Sequence, residues 1–242
     1  MSSVIQSRMS DGTLEKRYFL DDGKCWLWER YREDKLEECK QWDANGTPID
    51  HRFYKNGKPD GIYRRWYNNG QPRVQQIFKD GVPEGKYETW YNAGQPWSLA
   101  FCKGGQFEGE YQVWYDNGQI QSRSFYRNGK KDGESRYWHD NGALTELGFY
   151  RHGKVQGSIN WYADGRPCSW MFYANETSSG ESRRWARDGT IQFHTYYQGG
   201  TIDSKFSLKK KLSALYMKKY LRIRPPVIND YLISDLSKMV SG

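Results

Sequence analysis

Short segments rich in aromatic residues alternate along most of the chain with polar clusters built on glycine and asparagine, and the alternation has a fixed period. Trp66, Trp90, Trp114, Trp138, Trp161 and Trp185 lie 24, 24, 24, 23 and 24 residues apart, and each stands four residues before a glycine: Gly70, Gly94, Gly118, Gly142, Gly165 and Gly189. A second set of glycines opens each unit at Gly61, Gly85, Gly109, Gly133, Gly157 and Gly180. An aromatic residue returns after the central turn at Phe78, Phe101, Phe125, Phe149, Phe172 and Tyr196. Self-similarity of this kind marks a repeat array, in which each unit packs on its neighbours instead of around one thick core.

Within a unit, Tyr111-Gln112-Val113-Trp114-Tyr115 has the aromatic and β-branched character of a strand, and Asp116-Asn117-Gly118-Gln119 reads as a hairpin turn of type I′. Gln121 to Tyr126 supplies the returning strand, and Arg127 to Gly133 a second turn into the next unit. Two strands per unit joined only by short turns predict a mainly β fold, an elongated antiparallel meander of about seven tandem 24-residue hairpin units. Alternation places Tyr111, Val113 and Tyr115 on one face and Gln112 and Trp114 on the other, so the equivalent tryptophans fall in one row.

An earlier, degraded unit surrounds Trp42, Gly46, Phe53 and Gly57, and a partial one is marked by Gly12, Phe19 and Gly23. The expected organisation is an N-terminal cap with this partial repeat over 1–36, the hairpin array over 37–202, and a C-terminal cap over 203–242. In that last stretch Phe206, Leu208, Leu212, Leu215, Tyr216 and Leu221 recur mainly at helical spacing, and Pro225-Pro226 separates this segment from a second one rich in Ile, Leu and Met, so two short helices are predicted.

Composition sharpens this picture. Aromatic residues make up 17% of the chain against 36% hydrophobic in all, so Trp and Tyr must do the packing that Leu, Ile and Val do elsewhere. The net charge of +8 is concentrated in the tail, where Lys205, Lys209, Lys210, Lys211, Lys218, Lys219, Arg222 and Arg224 face little acidic compensation. The repeat body is nearly neutral. No run of apolar residues reaches the length of a membrane span and the first residues lack a secretory pattern, so a cytoplasmic or other intracellular location is expected. Cys25, Cys39, Cys102 and Cys168 have neither the spacing nor the histidine partners of a zinc site and read as free thiols.

The units GIYRRWYNNGQ, GKYETWYNAGQ and GEYQVWYDNGQ, each followed by an aromatic and an NG or DG turn, resemble MORN-variant repeats of the kind found in bacterial YwqK-type antitoxin proteins and in giant-virus proteins. The resemblance covers about residues 37 to 200 and departs from the pattern at His139 in place of Tyr, at a one-residue deletion before Trp161, and at Asn175-Glu176-Thr177 in place of a turn glycine. The long, nearly neutral, aromatic-rich body suits a scaffold that binds another protein; the resemblance sharpens this to a virion or capsid-associated component and implies, as alternatives, an antitoxin that neutralises a toxin by binding it and a lipid-associated protein.

No phosphate-binding loop, metal-ligand spacing or nucleophile motif interrupts the repeat, and the four histidines are scattered. An enzyme is therefore not expected, nor a cofactor or a metal. The row of Trp66, Trp90, Trp114, Trp138, Trp161 and Trp185 is open to two readings, an aromatic ladder that replaces a core or, with Tyr63, Tyr87 and Tyr111, a partner surface. Lys209, Lys210, Lys211, Lys218, Lys219, Arg222 and Arg224 are candidate contacts to an anionic lipid, nucleic acid or a partner, against the plainer reading of the tail as a cap. Sheet ends or the tail could pair two copies as a homodimer.

Overall fold

The computed structural model describes residues 3–174, 179–198 and 201–202. They form one antiparallel sheet in which each strand lies beside its neighbours in sequence. It opens with β1 (Ser3–Arg8), β2 (Leu14–Phe19), β3 (Cys25–Arg32), β4 (Lys35–Trp42), β5 (Pro48–Lys55), β6 (Lys58–Pro59) and β7 (Gly61–Trp66). The middle is β8 (Pro72–Lys79), β9 (Val82–Trp90), β10 (Pro96–Lys103), β11 (Gln106–Phe107), β12 (Gly109–Trp114), β13 (Ile120–Arg127) and β14 (Lys130–Trp138). It closes with β15 (Leu144–Arg151), β16 (Lys154–Trp161), β17 (Pro167–Ala174), β18 (Ser179–Trp185), β19 (Ile191–Gln198) and β20 (Thr201–Ile202). The hairpin geometry thus begins at Ser3, where β1 pairs with β2 from Ser3↔Phe19 to Arg8↔Leu14. The two C-terminal helices predicted above lie outside the described residues, among which no helix is long and apolar enough to cross a membrane.

Two kinds of turn alternate, one at each side of the sheet. At the side where each tryptophan strand ends, Gly118 N–H donates to the Tyr115 carbonyl and Tyr115 N–H to the Gln119 carbonyl. Gly118 has φ +83° while Asn117 does not enter the left-handed region. This is a three-residue type I turn closed by a glycine bulge, not the type I′ turn expected from the Asn-Gly pair. The asparagine stabilises it differently: Asn117 Oδ1 accepts from Gln119 N–H at 2.9 Å. Asp11, Asp22, Asn69, Asn141, Asp164 and Asp188 each accept in the same way from the residue two further on. Type I′ turns do occur at the opposite side, where Asn56-Gly57, Asp80-Gly81, Asn128-Gly129 and His152-Gly153 place both central residues at positive φ.

The bulge at the tryptophan turn skips one residue of the returning strand, as between Val113↔Ser122 and Trp114↔Ile120. A larger offset occurs near the opposite side, where Ser124↔Ser135 is followed by Tyr126↔Lys131. The acid and glycine that open each unit, here Asp132-Gly133, sit in this offset. The one-residue deletion before Trp161 is absorbed there: between β15 and β16 the pairing passes from Phe149↔Gly157 to Tyr150↔Val155, a smaller step. The register at the tryptophan end is untouched, because Tyr137↔Glu146 and Glu146↔Asn160 continue the row.

Substantial strand contacts run only between neighbours, so the described sheet is a single layer with two faces. Small residues in mid-strand, such as Ser98, Ala100, Ser124 and Ser135, are buried beneath taller neighbours. A cluster of buried large apolar residues occurs at one place, Leu147, Phe149, Ile159 and Trp170, with Trp161, Phe172 and Trp185 packed against it. All four cysteines are free.

Candidate interaction surface

Pairing register assigns every strand residue to a face, since directly opposed residues share one. Tyr63, Tyr87 and Tyr111 lie on one face, and Trp66, Trp90, Trp114, Trp138, Trp161 and Trp185 on the other, as alternation requires. All nine are half-buried. The two rows behave differently.

On the tyrosine face the rings touch. Tyr87 packs on Phe107 (centroids 6.2 Å apart), Phe107 stacks on Tyr111 (5.3 Å), and both Phe107 and Tyr111 meet Tyr126 edge-on. Burial pushes the Tyr63, Tyr87 and Tyr126 phenols above their usual range, so these rings are neutral packing elements at physiological pH. Further along, the Lys131 ammonium lies 5.0 Å from the centroids of both Tyr137 and Tyr150 and donates to the Tyr137 hydroxyl. Burial alone would lower its pKa, but the surrounding phenol oxygens hold it above the usual lysine range. This face is largely satisfied by its own contacts.

On the tryptophan face no recorded ring contact joins two of the six repeat tryptophans among the described residues; Trp185 instead meets Trp170 at 6.2 Å. Each stands beside a cross-strand row of one residue per strand. That row reads His51, Arg64, Gln75, Glu88, Leu99, Gln112, Arg123 and Arg136, by successive pairings. Its members bond along and across the strands: Arg64 Nε donates to Gln75 Oε1 at 3.0 Å, Gln75 Nε2 to Glu88 Oε2 at 3.4 Å, and Lys86 pairs with Glu88 at 2.6 Å. Nearer the N-terminus Glu38, its side chain 6% exposed, is held by Arg30, Lys40 and His51 at 2.8, 2.9 and 2.7 Å. Burial opposes its ionisation, but hydrogen bonds from Lys40 and His51 with the charges of Lys40 and Arg30 outweigh it and keep the carboxyl below the usual range. Beside the row, Phe101 and Phe125 stand 48% and 37% exposed, and Trp97 at the neighbouring turn is 47% exposed.

Repeat-to-repeat staples lie at both sides of the sheet. Four of the six repeat tryptophans are followed by a tyrosine that reaches across to the next unit: Tyr67, Tyr91, Tyr115 and Tyr162 donate to the carbonyls of Trp90, Trp114, Trp138 and Trp185 at 2.7–2.8 Å. At the opposite side the acid before four of the opening glycines accepts from a turn N–H of the next unit. Asp60 takes Asp80 N–H, Glu84 takes Gly104, Glu108 takes Asn128 and Asp132 takes His152, at 2.7–3.1 Å. Neither set stood out in the sequence, although both recur once per period.

Lys209, Lys210, Lys211, Lys218, Lys219, Arg222 and Arg224 lie outside the described residues. Among those described, no group of three or more His, Cys, Asp or Glu side chains converges as a metal site would require.

The family model for the MORN repeat variant matches residues 59–80, 107–130 and 131–152. Curated proteins give no match. Among solved structures, a protein of unknown function from Bacteroides fragilis NCTC 9343 aligns over 82% of this chain and 95% of its own at 7% identity, with a TM-score of 0.11, too low to carry an argument. The three matched segments hold the turns, acids and tyrosines just described, and the same staples run between and beyond them. The matched segments and the geometry together show that this chain carries MORN-variant repeats.

Proposed function

We propose that this protein is a non-enzymatic scaffold that binds another protein through the tryptophan face of its hairpin array, in the stretch from β8 to β13. MORN repeats commonly serve as protein or membrane interaction modules and the family is generally non-enzymatic. The observation that carries the reading is the exposure of Phe101 and Phe125 on a face where half-buried Trp90 and Trp114 alternate with Glu88, Gln112 and Arg123. Aromatic anchors set among arginine and amide groups are the composition of interface centres. The tyrosine face, whose rings already pack on one another, offers less.

A toxin-neutralising role and a virion role differ in the identity of the partner and call on the same surface. The test is capture from the native source by the full-length protein, by Phe101→Ser/Phe125→Ser, and by a variant with Lys209, Lys210 and Lys211 changed to Ala. A protein held by the wild type and by the lysine variant but lost with the phenylalanine variant supports the proposal. Lipid or nucleic acid recovered only while the lysines are intact would move recognition to the tail and refute it.

A further inference from the structure

The cross-strand row on the tryptophan face changes chemistry abruptly. From β5 to β14 it is polar at every position but Leu99. In the next three strands it becomes Leu147, Ile159 and Trp170, and it then returns to Arg183 and His194. Exposure follows the same boundary. Phe101 and Phe125 are 48% and 37% exposed, whereas Phe149, the equivalent residue one unit later, is 7% exposed, and Trp170 is 3% exposed.

Neighbours account for part of that difference: the Arg183 guanidinium lies 5.0 Å from the Trp170 ring centroid, and Phe172 and Trp185 meet the ring edge-on. Arg183 is itself only 8% exposed, and no other described strand makes substantial contact across this face. Trp170 also keeps its indole N–H buried without a hydrogen-bond acceptor, a group that a single solvated layer would leave in water. An apolar patch of this kind in one layer calls for a second layer over it.

We propose that residues 206–221 form this second layer, an amphipathic helix folded back across the tryptophan face of β15 to β19. The chain leaves the sheet at β20, which pairs with β19 through Tyr197↔Ile202, so the segment starts at the right end. Four strand spacings separate β19 from β15, roughly 19 Å at about 4.8 Å each. Sixteen helical residues span roughly 24 Å. Leu208, Leu212, Leu215 and Tyr216 follow the i, i+4, i+7, i+8 rhythm of one helix face, with Lys209 to Lys211 and Lys218 off it; Lys219, four residues after Leu215, returns to that face near the helix's end. The helix thus covers a face and does not cap the sheet edge. It ends its reach before Phe125, so the surface proposed for the partner stays open, and this inference does not depend on that proposal.

Two experiments on the full-length protein test it. Hydroxyl-radical footprinting compares like with like: Phe149 is expected to be oxidised several-fold more slowly than Phe101 and Phe125. In Leu212→Asp/Leu215→Asp, Phe149 should rise to the rate of Phe125 while Phe101 and Phe125 stay unchanged. An unchanged Phe149 rate would overturn the proposal. Independently of any destabilising change, benzoylphenylalanine in place of Phe172 should crosslink within one chain to residues 206–221. Crosslinks at twice the chain mass would assign the cover to a second copy, and an absence of crosslinks to the segment would leave it no place on this face; either result overturns the helix.

Discussion

The tyrosine staples give the sharpest quantitative test of how the repeats are held together. Replacing Tyr91 or Tyr115 by Phe removes one hydroxyl and no carbon, so packing is retained while the bond to the Trp114 or Trp138 carbonyl, 2.7 or 2.8 Å long, is lost. A net hydrogen bond of this kind contributes about 0.5–1.5 kcal/mol. Successive staples are two strands, roughly 10 Å, apart, far enough for their effects to add. The triple variant Tyr67→Phe/Tyr91→Phe/Tyr115→Phe should therefore lose about 3 kcal/mol. His139 supplies the reverse experiment. Its turn is built like the others, with His139 N–H donating to the Ala143 carbonyl and Gly142 N–H to the His139 carbonyl. The register toward Trp161 is intact, so His139→Tyr should gain about as much as Tyr115→Phe loses. Urea unfolding followed by tryptophan fluorescence measures both. Single Phe variants within about 0.3 kcal/mol of wild type, together with no gain from His139→Tyr, would show that these hydroxyls exchange freely for water and that the units are joined by ladder and ring contacts alone.

Other expectations follow from the same geometry. Glu84→Ala or Glu108→Ala should cost about 1 kcal/mol each in urea unfolding by leaving a turn N–H unpaired, whereas Gln156→Ala, at the unit with the smaller offset, should cost less. Gly157→Ala places its methyl 2.7 Å from the Met171 carbonyl and 2.5 Å from the Phe172 ring, an overpacking expected to cost about 1–3 kcal/mol and readable as a lowered thermal midpoint. Acidification should destabilise the fold in two stages. Burial holds His51 below its ordinary 6.5 against the pull of Glu38, so stability starts to fall as pH drops below that value. Glu38, held below 4.5, loses its share as pH falls through the carboxylate range. In both cases the folded pKa is the lower one, so stability is complete above the unfolded value and lost below it. Glu38→Gln should weaken the protein at pH 7 and flatten the acid limb of its stability profile; an unaltered limb would remove Glu38 from the account.

The period, the hairpins and the separation of Trp from Tyr onto opposite faces were legible because each depends on spacing within one unit: a tryptophan four residues before a glycine, and a side-chain alternation of two. The turn class was misread for a local reason. Asn-Gly suits both a type I′ turn and the end of a type I turn with a glycine bulge, and loop length separates them. Three residues lie between Tyr115 and Gln119, against two between Arg127 and Lys130. The staples escaped because their partners are 20 or 23 residues away, slightly less than one period, so that the tyrosine after each tryptophan looks like strand filler until the next unit is laid beside it.

The apolar patch was out of reach for a different reason. Leu147, Ile159 and Trp170 are ordinary strand residues in their own units, and only the register shows that they occupy the row that Arg64, Glu88 and Arg123 occupy elsewhere. A repeat array makes such a comparison possible at single-residue resolution, because every position has counterparts in a known environment. The staples at both sides recur at most junctions because each joins one unit to the next. The central row of the tryptophan face is under no such demand and is free to differ, so the functional content of this chain is to be sought at the change from Arg136 to Leu147 in that row, and beside it at Phe101 and Phe125, the repeat aromatics that stay exposed.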